Sequence, residues 1–170
     1  HLYRWIQDNK YCGKCGHLMD FDKKERAMRC PHCSNIVYPK ISPAVIVGVT
    51  NDKGQILVTK YAHGHYQSYA LVAGYYEIGE TIEETVKREV KEETGLDVTD
   101  IQYYKSQPWS FSSSLLFGFW CKAQGDQPIQ MDESELRVAR WADRDEEINT
   151  LDNASLTSEM IQYFKQGKVV

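Results

Sequence analysis

Two C-x-x-C pairs, Cys12-Gly-Lys-Cys15 and Cys30-Pro-His-Cys33, constrain the fold of this chain more than any other feature. Fourteen residues separate the pairs, so the segment must turn back on itself to gather its four thiols. That spacing suits a tetrahedral shell of thiolates around a structural Zn²⁺, with Gly13 and Gly16 letting each knuckle turn tightly. The segment is short and polar, so a metal is expected to supply stability in place of a core. Two disulfides would suit a secreted protein, but the opening HLYRWIQDNK holds no signal-peptide core. His17 and His32 lie near enough to substitute as ligands, yet four cysteines already close the shell. Both are read as bystanders. Cys121, in the apolar run LLFGFWC, is read as an ordinary buried thiol.

Charge places a boundary near Pro39. Residues 1–40 carry 8 basic and 4 acidic side chains, and residues 41–170 carry 12 and 20, so +4 is followed by −8. The expected organisation is a zinc ribbon over 1–40, with a short N-terminal lead, and a second domain over 41–170. The ribbon's basic residues (Lys10, Lys14, Lys23, Lys24, Arg26, Arg29) are scattered among acids, which favours a spacer over a nucleic-acid-binding block. With 42% hydrophobic residues the chain can bury a core. No apolar run approaches the roughly 20 residues that span a bilayer. A cytoplasmic location is expected. The chain begins at His rather than Met, as a fragment, a processed product or a tagged chain would.

After Pro39 and Pro43 the pattern turns to strands. Ala44–Thr50 is apolar and β-branched, as in a strand covered on both faces. Asn51-Asp-Lys-Gly54 is turn chemistry, returning the chain as Ile56–Tyr61. A third strand is expected over Tyr69–Ala73, ending at Gly74, and others near Val98–Lys105, Leu115–Lys122 and Val138–Ala142. Helical spacing runs from Ile82 to Thr94, with Gly95 as its stop, and again over Leu156–Lys165, with Ser155 as a cap. The picture is a mixed sheet flanked by helices, with the ribbon ahead of it.

The first of these helices breaks the usual pattern. Thr81-Ile-Glu-Glu84 is a capping box. At about 100° per residue, Ile82, Val86 and Val90 define the buried stripe, and Glu93 falls inside it with Glu89 at its edge. An inward carboxylate costs several kcal/mol unless paired or bound to a cation. No cationic side chain lies on the same stripe. Exposed pairs such as Glu84–Arg88 and Arg88–Glu92 account for the outer charges but not for Glu93. A divalent cation, Mg²⁺ or Mn²⁺, would account for it, since such ions take carboxylate oxygens and bridge to phosphates.

The same residues resemble a known family. Gly74-Tyr-Tyr-Glu-Ile-Gly-Glu80, seven residues, then Arg88-Glu-Val-Lys-Glu-Glu-Thr-Gly-Leu96 meets every fixed position of the Nudix box G-x5-E-x7-R-E-U-x-E-E-x-G-U. The resemblance implies an α/β/α sandwich and metal-dependent hydrolysis of nucleoside diphosphates linked to another group. It implies that Glu89, Glu92 and Glu93 bind Mg²⁺ or Mn²⁺, that Arg88 orients a glutamate, and that Glu80 supports the loop. Ser106-Gln-Pro-Trp-Ser-Phe-Ser-Ser-Ser114 is similar to the S-Q-P-W-P-F-P-x-S motif of NADH pyrophosphatases, as are the ribbon and the Tyr38-Pro39 step. By that resemblance Tyr75 stacks on a substrate ring, Tyr38 lines the pocket with Gln107, Trp109, Phe111 and Ser114, and Glu135 completes the metal site. Plain core packing is the competing reading of Trp109 and Phe111. Ser110 and Ser112 replace two motif prolines, which frees the loop.

The implied reaction splits NADH or NAD into a nicotinamide mononucleotide and AMP, with Glu92 or Glu93 accepting the proton of water. Other readings are a Nudix hydrolase of ADP-ribose, of another dinucleotide or of NAD-capped RNA, and a nucleotide-sensing module whose ribbon binds nucleic acid. The subfamily further implies a homodimer with a shared pocket. His63 and His65 read as loop residues rather than a base.

Overall fold

The computed structural model describes residues 1–64, 68–150 and 154–169. The chain packs into two compact units, one of His1–Ser42 with Trp109–Ser114, the other of Pro43–Pro108 with Leu115–Val170.

The smaller unit holds helix α1 (Leu2–Asp8) and three two-residue strands, β1 (Asp20–Phe21), β2 (Met28–Arg29) and β3 (Ile36–Val37), joined antiparallel in that order. The two cysteine knuckles are built alike. Gly16 N–H donates to Cys12 O at 2.8 Å and Ser34 N–H to Cys30 O at 3.0 Å. Each turn closes with a positive φ, 75° at Gly16 and 60° at Ser34, so glycine serves the first knuckle at position 16 and serine the second. Gly13, expected to ease the first turn, is not among the positive-φ residues.

Cys12 and Cys33 Sγ lie 3.6 Å apart, Cys15 and Cys30 Sγ 3.5 Å, and all four sulfurs lie within 4.8 Å of one another. Thiolates about 2.3 Å from a tetrahedral Zn²⁺ stand roughly 3.8 Å apart, so the four sulfurs fit that ion. Lys14 N–H points to Cys12 Sγ at 3.4 Å, which supports the sulfur's negative charge. His17 and His32 stack, ring centroids 3.9 Å apart, beside Cys15 rather than within the four-sulfur shell.

The expectation that this segment lacks a core is corrected by α1. Its Trp5 is buried against Cys12, Met19, Met28 and Cys30, with Ile6 and Val37 at the margin. Seven residues are too few for periodicity to reveal such a helix, and tertiary contact stabilises it.

The larger unit is a six-stranded sheet between two helices. Its strands are β4 (Ser42–Thr50), β5 (Ile56–Tyr61), β6 (Val72–Tyr75), β7 (Val98–Trp109), β8 (Ser114–Ala123) and β9 (Leu136–Ala142). The spatial order is β7-β8-β4-β5-β9, with β6 also on β4. Ser42, Trp109 and Ser114, at strand ends, pack with the smaller unit. Period-two alternation sorts the strands onto two faces. Val45, Val47, Val49, Leu57 and Phe119 pack with Val86 and Val90 of helix α2 (Ile82–Thr94). Ile46, Ile56, Val58 and Trp120 pack with Met160, Ile161 and Phe164 of helix α3 (Leu156–Lys165). This is the expected α/β/α layering, and both helices begin and end where their caps predict. Thr81 and Glu84 complete the capping box, Gly95 closes α2 at φ 72°, and Ser155 Oγ accepts from Ser158 N–H. Cys121 is buried, and burial pushes its thiol up to about 12.

One strand differs from expectation. The segment Tyr69–Leu71 makes only an isolated bridge, Ala70 to Thr59, while β6 continues through Gly74 to Tyr75. Gly74 pairs with Val45, so it belongs to the ladder rather than ending it. No helix among the described residues is long and apolar enough to cross a membrane.

Removing the metal should cost the smaller unit its packing. Treatment with a strong zinc chelator is expected to release one equivalent of zinc and red-shift the tryptophan emission as Trp5 becomes hydrated. Stoichiometric release with an unchanged spectrum would contradict this.

Candidate active site

The candidate acids of α2 collect where β6 meets that helix. Helical spacing turns Val86, Glu89, Val90 and Glu93 toward the sheet, and all four are buried. The helix approaches so closely that a Cβ on Gly74 would lie 1.9 Å from Glu89 Cδ and 2.0 and 2.1 Å from its two oxygens. Glycine at 74 therefore provides space for a carboxylate, a role quite apart from turning the chain.

Arg88 organises the acidic groups around it. Its Nε and Nη2 donate to the two oxygens of Glu80 at 2.6 and 3.0 Å. Nη1 donates to Glu89 at 2.8 Å and Glu92 at 2.9 Å, and Nη2 also reaches Tyr75 O at 2.9 Å. These bonds hold the Glu80 carboxyl down to about 2, with help from Thr85 Oγ1 and the Glu77 N–H. They raise the proton affinity of Arg88 itself. Glu89 has a cationic partner after all, because the long Arg88 side chain folds across from the helix flank. The expected Glu84–Arg88 pair is absent among the described residues, since Glu84 is engaged at the N-cap by Thr81.

Glu93 has no such partner among the described residues. It is 3% exposed, accepts a hydrogen bond from the Ala73 backbone, and leaves Oε2 buried with nothing to bond. Burial pushes its carboxyl up to about 8, and the charges of Glu89, Glu135 and Asp132 add to that. Burial likewise raises Glu89, against the opposing pull of Arg88. Glu135 is exposed, yet close enough for its charge to act on both. Asp132, which the sequence reading passed over, donates its backbone N–H to Glu93 O at 3.0 Å. Nothing local in the sequence singled it out. Glu92 lies exposed on the flank. Among the described residues no three carboxylates bring an oxygen each within 4.8 Å of one another.

The remaining predicted residues fall in both units. In the larger one, Tyr75 is half exposed, and the Gln107 amide bonds Ala154 O at 2.9 Å and Leu156 N–H at 2.7 Å. In the smaller one, Tyr38 donates to Glu25, which raises the phenol above its ordinary range. Trp109 and Phe111 lie in contact, ring centroids 5.3 Å apart, and Phe111 is 77% exposed, which excludes core packing for it. The motif's serines at 110 and 112 lie in the turn between β7 and β8, where the Ser112 and Ser114 hydroxyls bond each other at 2.8 Å. A proline at 112 could not make that bond. His63 is exposed in a bend, and His65 lies outside the described residues.

This arrangement occupies a segment that known proteins share. The description "NUDIX domain" matches residues 40–164, and "NADH pyrophosphatase zinc ribbon domain" matches residues 7–38. The chain is 41% identical over 137 residues to the NAD-capped RNA hydrolase NudC of Vibrio atlanticus, covering 81% of this chain and 50% of that protein. Its identity to the protein of the same name from Klebsiella pneumoniae is 40% over 141 residues, covering 82% and 54%. The chain thus spans about half the length of the curated relatives it matches. A solved Nudix hydrolase from Nitrosomonas europaea shares the fold with TM-score 0.75 at 21% identity, over 92% of this chain and 91% of that one. With the NUDIX domain matched over residues 40–164, most of this chain, and the ribbon matched over residues 7–38 ahead of it, the chain belongs to the Nudix family, with a zinc ribbon of the NADH pyrophosphatase type.

Proposed function

We propose that this protein hydrolyses the pyrophosphate of an NAD-ended substrate, converting NADH or NAD to nicotinamide mononucleotide and AMP. The observation that carries this reading is the buried Glu89–Glu93 pair, with one Glu93 oxygen left without a partner. An oxygen-only donor set in a phosphate-hydrolysing family suits a hard divalent cation, Mg²⁺ or Mn²⁺. Glu89, Glu93 and Glu135 would hold it, with Glu92 reaching in from the flank. When bound, such an ion neutralises the diphosphate and acidifies a water molecule.

The chain's own residues supply the rest. Arg88 fixes the Glu89 carboxylate and engages Glu92, and Glu80 fixes Arg88. Between the two candidate proton acceptors, the unused oxygen supports Glu93, because the charge of Glu92 is already engaged. Exposed rings at Tyr38, Tyr75 and Phe111 suit stacking on nicotinamide or adenine, with Trp109, Gln107 and Ser114 beside them in the motif. In this division of labour residues 1–40 form the zinc-held module and residues 41–170 the hydrolase. The active form is a cytoplasmic homodimer whose pocket is shared between subunits.

A second reading keeps the chemistry and lengthens the substrate to NAD-capped RNA. The name that the matched relatives carry favours it. Measuring kcat/KM on NADH, NAD, ADP-ribose and NAD-capped RNA separates the two, and mass spectrometry of the NADH products in ¹⁸O-water tests the cleavage itself. Nicotinamide mononucleotide and AMP with a single ¹⁸O are expected. Failure to cleave any of the four substrates with Mg²⁺ or Mn²⁺ present would refute the proposal.

Glu93→Gln should keep the fold and lower kcat by at least about a hundredfold, the scale of losing a positioned acid–base group. Turnover near wild type would defeat the assignment. Gly74→Ala should displace Glu89 and raise the Mg²⁺ concentration needed for half-maximal rate severalfold, with an unchanged requirement counting against the close approach. The raised Glu93 carboxyl gives the metal-free protein a definite pH dependence. Its folded value of about 8 exceeds the ordinary 4.5, so the folded state binds the proton more tightly. Stability is full below about 4.5 and falls as pH rises toward about 8. Denaturant titration of metal-free wild type and Glu93→Gln should show that fall in the former and a flatter profile in the latter.

A further inference from the structure

The sheet face covered by α3 carries a concave site lined by none of Gly74, Glu89 and Glu93. A cavity of about 470 Å³ is lined by Trp120, Tyr104, Tyr163, Lys122 and Lys168, among others. A second, of about 210 Å³, holds Arg144 and Phe164 and shares Thr50, Lys122 and Val169 with the first. The two therefore adjoin. Together they reach the size of ordinary small-molecule sites, about 300–1,000 Å³.

One chamber is aromatic. Trp120 stacks on Tyr163 with centroids 6.2 Å apart and planes 28° from parallel, while Tyr104 meets Trp120 edge-on at 6.2 Å. Trp120 is 92% buried by its 8% exposure, and its indole Nε1 has no acceptor. A Cβ on Gly48 would lie 2.2 and 2.4 Å from the Cζ3 and Cε3 atoms of this indole. That edge is opposite Nε1 in the ring system, so the N–H is directed away from β4. The cavity thus offers a flat heterocycle the rings of Trp120, Tyr104 and Tyr163, while the Nε1 atom itself is buried.

Cations line both cavities, Lys168 the larger and Arg144 the smaller. The Arg144 guanidinium lies 5.1 Å from the Phe164 ring centroid, and the Lys168 ammonium 5.6 Å from that of Tyr163. Neither takes part in an ion pair among the described residues. Lys122 is paired with Asp52 at 2.7 Å, and Asp100 also lines the larger cavity. Two unpaired cations thus face one unpaired carboxylate, a balance that favours an anion.

We propose that this double cavity binds a nucleoside 5′-monophosphate, the base against Trp120, Tyr104 and Tyr163 and the phosphate toward Arg144 and Lys168. Aromatic faces recognise any flat base, and a guanidinium suits a phosphate through its paired donors. The site is independent of the hydrolysis reading, since Gly74, Glu89 and Glu93 line neither cavity.

The test is a ¹⁵N–¹H titration of the full chain with AMP, adenosine or inorganic phosphate, without Mg²⁺, alongside the double variant Arg144→Gln, Lys168→Gln. Both side chains are exposed, so the variant should reproduce the wild-type spectrum before ligand is added. Expected are saturable AMP shifts at the Trp120 indole N–H and the Thr50 and Lys122 amides, at least tenfold weaker AMP binding by the variant, and unchanged NADH turnover. Adenosine should bind wild type and variant equally and more weakly than AMP does wild type. No AMP shifts, shifts confined to 74–96, or equal AMP affinity in wild type and variant would each overturn the proposal.

Discussion

Arg88 is the group on which the rest of the acidic site depends. One guanidinium donates to both oxygens of Glu80, to one oxygen each of Glu89 and Glu92, and to the carbonyl of Tyr75. A lysine could not do this, because its ammonium lacks the planar, divergent donor set. The arrangement ties the loop preceding α2 to the helix and to the last residue of β6. It also divides the carboxylates into two kinds. Those that meet the arginine have their charge compensated within the chain, whereas Glu93, one turn along the helix, does not.

That division explains why the helix can be built against the usual rule. Burying a carboxylate is tolerable for Glu89 because Arg88 lies beside it. The α2 side of the sheet otherwise packs as an ordinary apolar layer of valines, Leu96 and Phe119, so the strain of inward charge is confined to one edge. Among the described residues the opposite layer, against α3, carries no buried carboxylate and is closed by Leu156, Met160, Ile161 and Phe164. Polar chemistry and core stability are thus allotted to different parts of the same sheet.

Much of this was legible from local pattern. The ends of α2 and α3 follow from Thr81, Gly95 and Ser155, because caps act through bonds within a few residues. The β5 segment Ile56–Tyr61 was readable for a similar reason, lying between turn chemistry and a change of pattern. The inward position of Glu93 followed from helical phase alone. By contrast, Gly74 looked like a strand stop, since a glycine's usual local meaning is a break in the backbone. Its actual role is a close approach to Glu89, set by how near α2 packs on β6. The resemblance implied that Arg88 orients a glutamate, but the helical wheel did not show it reaching Glu80 and Glu89 at once, because a wheel places Cβ atoms and says nothing about where a long side chain folds.

The sequence by itself determined the two long helices and the main strands of the larger unit, the four-thiol spacing and the inward carboxylates, since each depends on periodicity or on bonds between near neighbours. Only the tertiary structure decided that Trp5 would give the ribbon a core, that Arg88 would serve Glu80, Glu89 and Glu92 together, and that Asp132 would join Glu93. Those contacts join parts of the chain, or reach of a side chain, that no local pattern encodes. Close packing brings them within range, and it is decided by the fold as a whole.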